Sequence, residues 1–308
     1  MPLIVGLSIP LSNPDQMPFY RAPEQLHTAN NNLAVMVRRP APVQASWVFG
    51  AGQTTGLPEV DYFLCDAVLV PPEHEPYMAE AVLRLPFAGM PYKPGEDFLE
   101  PAPLPCLHAP QVVLGVLSRP LRTNRHTVRV WAQILAAVPE AVLRFDHVPY
   151  AEPDIQARMR GLFAEHGIAP DRLIFCNTRP HWQALREIDL QLDPFPAGSG
   201  TVVSDGLWME RLAVTLRSRP VMGLSATAQL TALGLADPCV AANEEEYVQK
   251  VVALVRDRER LVQLCAGLRA RMQRSPLMDY ASYGREVAKL YRQMWQNWCA
   301  RQAGAPKP

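Results

Sequence analysis

Residues 192–208, LDPFPAGSGTVVSDGLW, join a short apolar strand pattern, a Pro/Gly turn and the start of a helix. Gly198, Ser199 and Gly200 let the backbone approach a ligand closely, and a helix starting near Thr201 turns unpaired N–H groups and its positive dipole end toward the turn. Such a place suits an anion, above all a phosphate. Asp205, read as lying in the first turn of that helix, suits the hydroxyls of a ribose carried by that phosphate. The same residues also fit an ordinary strand-to-helix connection in which the Asp offsets the helix dipole.

The elements that must hold this turn are legible on both sides of it. Between about residues 111 and 242 the chain alternates apolar strands with helical patterns. VVLGVL (112–117), VLRFDHV (142–148), RLIFC (172–176) and IDLQL (188–192) read as strands. TVRVWAQILAAV (127–138) reads as a helix with Val128, Trp131, Ile134 and Leu135 on one face, followed by helices at 153–167, after Pro180 and from Thr201. This alternation predicts a parallel sheet covered by helices on both faces, with ligands bound beyond the carboxyl ends of the strands, where the turn falls.

Before about residue 110 the pattern changes to dense prolines, a Gly-rich loop (GAGQTTG, 50–56) and few strand signals, and 94–110 reads as an interdomain linker. Residues 243–273 and 280–300 read as helices. The last carries Tyr280, Tyr283, Val287, Leu290, Tyr291, Met294, Trp295 and Trp298 at three- and four-residue steps, a packing stripe.

Composition narrows the partners. Thirty basic residues balance thirty acidic ones, so the electrostatic footprint of a nucleic-acid or anionic-membrane binder is absent. No apolar run is long enough to cross a bilayer. The six cysteines lack C-x-x-C spacing and read as core thiols of a reducing compartment, so a cytoplasmic location is expected. The seven histidines show no metal-ligand spacing and there is no G-x-S-x-G elbow, so neither a metal site nor a serine nucleophile is expected. Lysine occurs only at Lys93, Lys250, Lys289 and Lys307; in a chain this rich in arginine, a single Arg carries little weight.

Read in order, many segments resemble one family. RRPAPVQASW (38–47), TTGLPEVDY (54–62), VPPEH (70–74), LRLP (83–86), WAQILAAVPEAVL (131–143) and HWQALREIDLQLD (181–193) are followed by a GT…D-x-LW pattern at Gly200, Thr201, Asp205, Leu207 and Trp208. AQLTALGL (228–235), EEYVQKVVAL (245–254) and SPL…LYRQMW (275–295) continue the series. Together they resemble the catalytic region of the O-GlcNAc transferase family over roughly residues 26–298.

The resemblance implies an α/β, GT-B-like fold: a Rossmann-type parallel-sheet domain in the C-terminal half and an incomplete N-terminal α/β half. The division it implies is 1–100, an acceptor-side half, and 101–308, a nucleotide-sugar-binding domain whose terminal helix packs back on the first half. It implies metal-independent transfer of N-acetylglucosamine from UDP-GlcNAc to Ser or Thr of a protein or peptide, the UDP-sugar being a substrate rather than a cofactor. By matched position, Arg122 stands where the family has its diphosphate-binding lysine and takes the catalytic role. Arg119, His181, Gly200, Thr201 and Asp205 belong to nucleotide binding.

The chain also departs from the family. Val202 replaces the second threonine of the helix start, Gly200 replaces a histidine, and Arg119 replaces a glutamine. The loop VFGAGQTTG after Trp47 is one residue longer than its counterpart. His27 aligns with a G-H-T histidine, yet only about 25 residues precede this stretch where the family has a complete first domain. That shortage predicts self-association or a second polypeptide completing the cleft. Two alternatives to the N-acetylglucosamine reading stay open: a UDP-glucose-dependent protein glucosyltransferase, and a non-catalytic module that binds a nucleotide sugar or a partner.

Overall fold

The computed structural model describes residues 4–6, 33–47, 54–86, 90–218 and 223–304. His27 and residues 48–53 of the Gly-rich loop lie outside them. In chain order the strands are β1 (Ile4–Gly6), β2 (Gln44–Trp47), β3 (Tyr62–Cys65), β4 (Ala81–Arg84), β5 (Val112–Val116), β6 (Ala141–Asp146), β7 (Leu173–Cys176), β8 (Leu190–Leu192), β9 (Ala213–Leu216) and β10 (Val240–Ala241). The helices are α1 (Leu33–Met36), α2 (Arg125–Ala137), α3 (Pro153–Ala164), α4 (His181–Arg186), α5 (Thr201–Trp208), α6 (Ser225–Ala232), α7 (Ala236–Cys239), α8 (Glu244–Arg256), α9 (Arg258–Cys265), α10 (Leu268–Gln273) and α11 (Tyr280–Gly304). The chain forms two compact units, Met1–Pro91 with Pro276–Pro308, and Tyr92–Ser275. No helix among the described residues is long and apolar enough to cross a membrane.

The first unit is built on a parallel sheet in the order β1-β2-β3-β4. Helix α11 lays its stripe on that sheet: Met294 is fully buried among Val43, Ala45, Tyr62 and Leu64, and Tyr283 stacks on Trp47 at 5.3 Å. Tyr280 and Trp295 of the same stripe remain exposed. The Thr-Thr-Gly turn before β3 hangs from one buried carboxylate, since Glu80 accepts from the Thr55 amide (2.5 Å) and from the Thr54 hydroxyl (2.7 Å).

The second unit holds a six-stranded parallel sheet in the order β10-β9-β8-β5-β6-β7. In sequence this is the Rossmann order, with the direction of winding reversing between β5 and β8. Asn124 caps α2 by accepting from the Thr127 amide (3.0 Å), and Val128, Trp131, Ile134 and Leu135 are buried as their spacing predicts. The stretch 243–273, expected as continuous helix, is broken twice. Asp257 caps α9 by accepting from the Arg260 amide (3.0 Å), and Gly267, at φ 74°, opens α10.

The proline-rich segment 94–110, expected as a linker, is fastened along the second unit by arginines. Prolines lack the amide for a ladder and keep the segment out of the sheet, so its carbonyls have no strand partners. Guanidinium groups supply the missing donors. Arg211, fully buried, donates to the carbonyls of Ala102 (2.9 Å) and Pro103 (3.1 Å). Arg258 donates to Cys106 (2.9 Å) and Ala109 (3.1 Å), and Arg269 to Leu99 (2.7 Å).

Candidate functional site

Two strand exits meet at the reversal point of the second sheet. After β5 the chain passes Ser118 and Arg119 and makes a single tight turn, Pro120–Arg122, closed by the Arg122 amide on the Arg119 carbonyl (3.0 Å). Arg119 is exposed, whereas Arg122 is half-buried and donates through Nη1 to the carbonyl of Gly198. That bond spans from the exit of β5 to the turn after β8. Burial lowers the Arg122 pKa, the nearby Asp193 carboxylate opposes the effect, and Arg119 adds to it. Arginine tolerates such a shift and stays charged.

The turn after β8 is built around Asp193. Its carboxylate, fully enclosed, accepts from the Ser199 amide (2.7 Å) and the Thr215 hydroxyl (2.7 Å). Burial pushes its pKa up to about 6, against the pull of those hydrogen bonds and of Arg122. Gly198 is required here, because a Cβ would lie 2.8 Å from the Asp193 carboxylate and 3.3 Å from the Gly223 carbonyl. On the neighbouring side, Asn124 Nδ2 (2.8 Å) and the Thr127 hydroxyl (2.7 Å) both donate to the Phe195 carbonyl, tying the start of α2 to the turn.

Helix α5 starts at Thr201 as expected, with Gly200 as its cap residue at φ −106° and ψ −82°. The Gly200 carbonyl accepts from Val203 (3.1 Å), Ser204 (3.1 Å) and Gln229 Nε2 (3.2 Å). Thr201 and Val202 lie too close to the Gly200 carbonyl, the first that the helix offers, to bond to it, so their N–H groups stay free at its positive end. Gly206 lets α5 lie against β8, since a Cβ there would sit 1.7 Å from the Gln191 amide nitrogen.

Asp205 falls in the second turn of α5 and not, as expected, in the first. The helix begins at Thr201 itself, so the carboxylate is a full turn away from the first amides. Its burial leaves it 6% exposed, and both oxygens have donors: Tyr92 Oη on Oδ1 (2.9 Å) and His181 Nε2 on Oδ2 (2.7 Å). Each oxygen keeps a further lone pair with which to accept. His181, the first residue of α4, is more exposed than its carboxylate partner and is flanked by Trp182 (5.1 Å) and the edge of Phe98 (6.1 Å).

The predicted residues thus form two linked sets. Arg122, Gly200 and Thr201 surround the turn, and His181 and Asp205 form a hydrogen-bonded pair. The Arg119 side chain acts on this site through its charge, lowering the pKa of Arg122 and of His147, while its carbonyl closes the turn. Three participants have no counterpart among the predicted ones. Asp193 directly follows β8 and shapes the turn, a position in the motif that could have pointed to it. His147 follows β6; burial lowers its pKa, and so do Arg119, Arg179 and His181, with Asp146 opposing. Tyr92 lies 113 residues from Asp205 and no local pattern marks it. Among the described residues no group of three His, Cys, Asp or Glu side chains could hold a metal ion.

A site of cationic side chains, outward helix amides and a held carboxylate at a Rossmann reversal point can take a nucleoside diphosphate. Comparison with known proteins gives the family. Residues 111–287 match the model of glycosyl transferase family 41. Over 278 residues the chain is 34% identical to the tomato (Solanum lycopersicum) protein described as a probable UDP-N-acetylglucosamine–peptide N-acetylglucosaminyltransferase, SPINDLY; the match covers 89% of this chain and 30% of that one. It superposes on a mutant O-GlcNAc transferase of Thermobaculum terrenum with a TM-score of 0.80 at 30% identity, over 89% of this chain and 52% of the other. A sucrose-phosphate synthase from Thermosynechococcus elongatus shares the fold, with a TM-score of 0.56 at 13% identity over 86% of this chain and 71% of that one. The chain therefore spans about a third of its curated relative and about half of its solved one. It has a GT-B-like α/β fold and belongs to glycosyl transferase family 41, that of the O-GlcNAc transferase catalytic region.

Proposed function

We propose that this chain binds UDP-N-acetylglucosamine and transfers its sugar to a Ser or Thr hydroxyl of a protein. The observation that carries the reading is the meeting of Arg122, the start of α5 and the His181–Asp205 pair at the β5/β8 reversal point. In the transfer, the acceptor hydroxyl oxygen bonds to the anomeric carbon and its proton passes to the departing UDP, while the bond to the β-phosphate oxygen breaks, its electron pair leaving with UDP. Negative charge grows on the diphosphate, so fixed donors aimed there lower the barrier. Arg122 supplies a permanent charge whose fork can hold the Gly198 carbonyl and still offer N–H groups to a phosphate. The amides of Gly200 and Thr201 and the exposed Arg119 add to that field. His181 lies beside the nucleotide, and Asp205 accepts from the ribose.

The test is a transfer assay on peptide and protein acceptors, read by mass, with UDP-N-acetylglucosamine and UDP-glucose in competition. A mass gain of one N-acetylhexosamine that disappears in Arg122→Ala is the expected result. A gain of one hexose would move the assignment to a glucosyltransferase, and binding without any transfer would favour a nucleotide-sugar binding module.

A further inference from the structure

We propose that Tyr92 is a positioning residue of the nucleotide seat, holding the Asp205 carboxylate in the fixed orientation from which it accepts the ribose hydroxyls. The inference rests on the donor-site reading above. Asp205 is buried in the second turn of α5, where helix amides do not reach its side chain, so its orientation depends on side-chain donors alone. Among the described residues there is one side-chain donor for each oxygen. His181 Nε2 takes Oδ2, and with that bond alone the carboxylate could still rotate about its terminal torsion; Tyr92 Oη on Oδ1 closes the second point.

Tyr92 is itself well fixed. It is 7% exposed, and its ring lies 6.3 Å from Trp208, three residues on from Asp205 and so on the same face of α5. The ring meets the tryptophan while the hydroxyl meets the carboxylate. Trp208 is braced in turn by the Arg269 guanidinium, 4.8 Å from its ring, and Arg269 also holds the Leu99 carbonyl of the segment that follows Tyr92. A residue that only filled space against Trp208 would need no hydroxyl. This one is aimed at a buried carboxylate that, among the described residues, has a single other side-chain donor.

The experiment measures by calorimetry the Kd of UDP, of 2′,3′-dideoxy-UDP and of inorganic pyrophosphate for the wild type and for Tyr92→Phe. The expected result is a rise of about 10-fold in the UDP Kd, the scale of one hydrogen bond to a charged group, with the two ligands lacking ribose hydroxyls unchanged. An unchanged or tightened UDP Kd overturns the proposal, as does equal weakening of all three ligands, which marks a residue that merely supports the fold. Asp205→Asn provides a second variant, expected to abolish the preference for UDP over its dideoxy analogue; retention of that preference also overturns it. A wild type that binds pyrophosphate but does not distinguish the two nucleotides refutes the ribose role of Asp205, and Tyr92's role with it. Failure to bind any of the three refutes the donor-site reading itself.

Discussion

The two strand exits that face each other at the β5/β8 reversal point are built on opposite principles. The exit of β8 is enclosed: Asp193 is buried, and its carboxylate is spent on backbone and hydroxyl groups of the turn. The exit of β5 is cationic, with Arg119 exposed, Leu121 94% exposed and Arg122 the one of its two arginines that reaches inward. The difference separates two jobs that an anion site has to do. One side fixes the shape of the backbone, and the other supplies charge. Shape that depends on a buried network fails cooperatively, whereas exposed charge fails gradually and is screened by salt.

Variants on the two sides should therefore lose different things. Asp193→Ala should have the largest effect: loss of about 3 kcal/mol of stability, seen as a lower denaturation midpoint, with UDP affinity falling to the limit of detection. If the variant keeps wild-type stability, the turn is not built on that carboxylate. Burial holds Asp193 at about 6 in the folded chain against an ordinary 3.8, so the fold favours the protonated acid. Its contribution to stability is thus greatest below about pH 4 and declines as pH rises toward 6, by up to ~3 kcal/mol. Asp193→Asn should flatten that part of the stability–pH curve, and an unchanged curve would count against the enclosure described here.

Gly206→Ala should follow, at about 2 kcal/mol, because the new methyl displaces the buried Gln191 amide between α5 and β8. On the charged side, Arg122→Ala should leave the melting temperature within a few degrees while raising the UDP Kd by about 30-fold, the scale of a charge-assisted hydrogen bond to phosphate. Arg119→Gln should cost only about 2-fold, since an exposed charge acts through solvent, and raising the salt concentration should erase the difference. Equal losses for both arginines would remove the distinction between the inward and the outward cation.

What the sequence reveals of this site follows the range of the interactions involved. The sheet, the buried face of α2 and the start of α5 at Thr201 rest on local periodicity and turn chemistry, and all three are present in the structure. A carboxylate near a helix start is ordinarily a dipole partner, an expectation that places Asp205 one turn too early; in the structure it is a buried acceptor for side chains. Tyr92 could not be read at all, since its partner is 113 residues away. The arginines show a different limit. Their abundance gives any one of them little weight, yet Arg211, Arg258 and Arg269 each hold carbonyls of the proline-rich segment 94–110. Composition hid a structural role that only the placement of the proline-rich segment reveals.

The central claim is that the enclosed exit shapes a seat and Arg122 charges it for a nucleoside diphosphate. Calorimetric titration of the chain with UDP tests this most directly. The account predicts saturable binding of one UDP per chain, weakened about 30-fold in Arg122→Ala at unchanged stability. No heat of binding at millimolar UDP, or binding indifferent to Arg122→Ala, would contradict it.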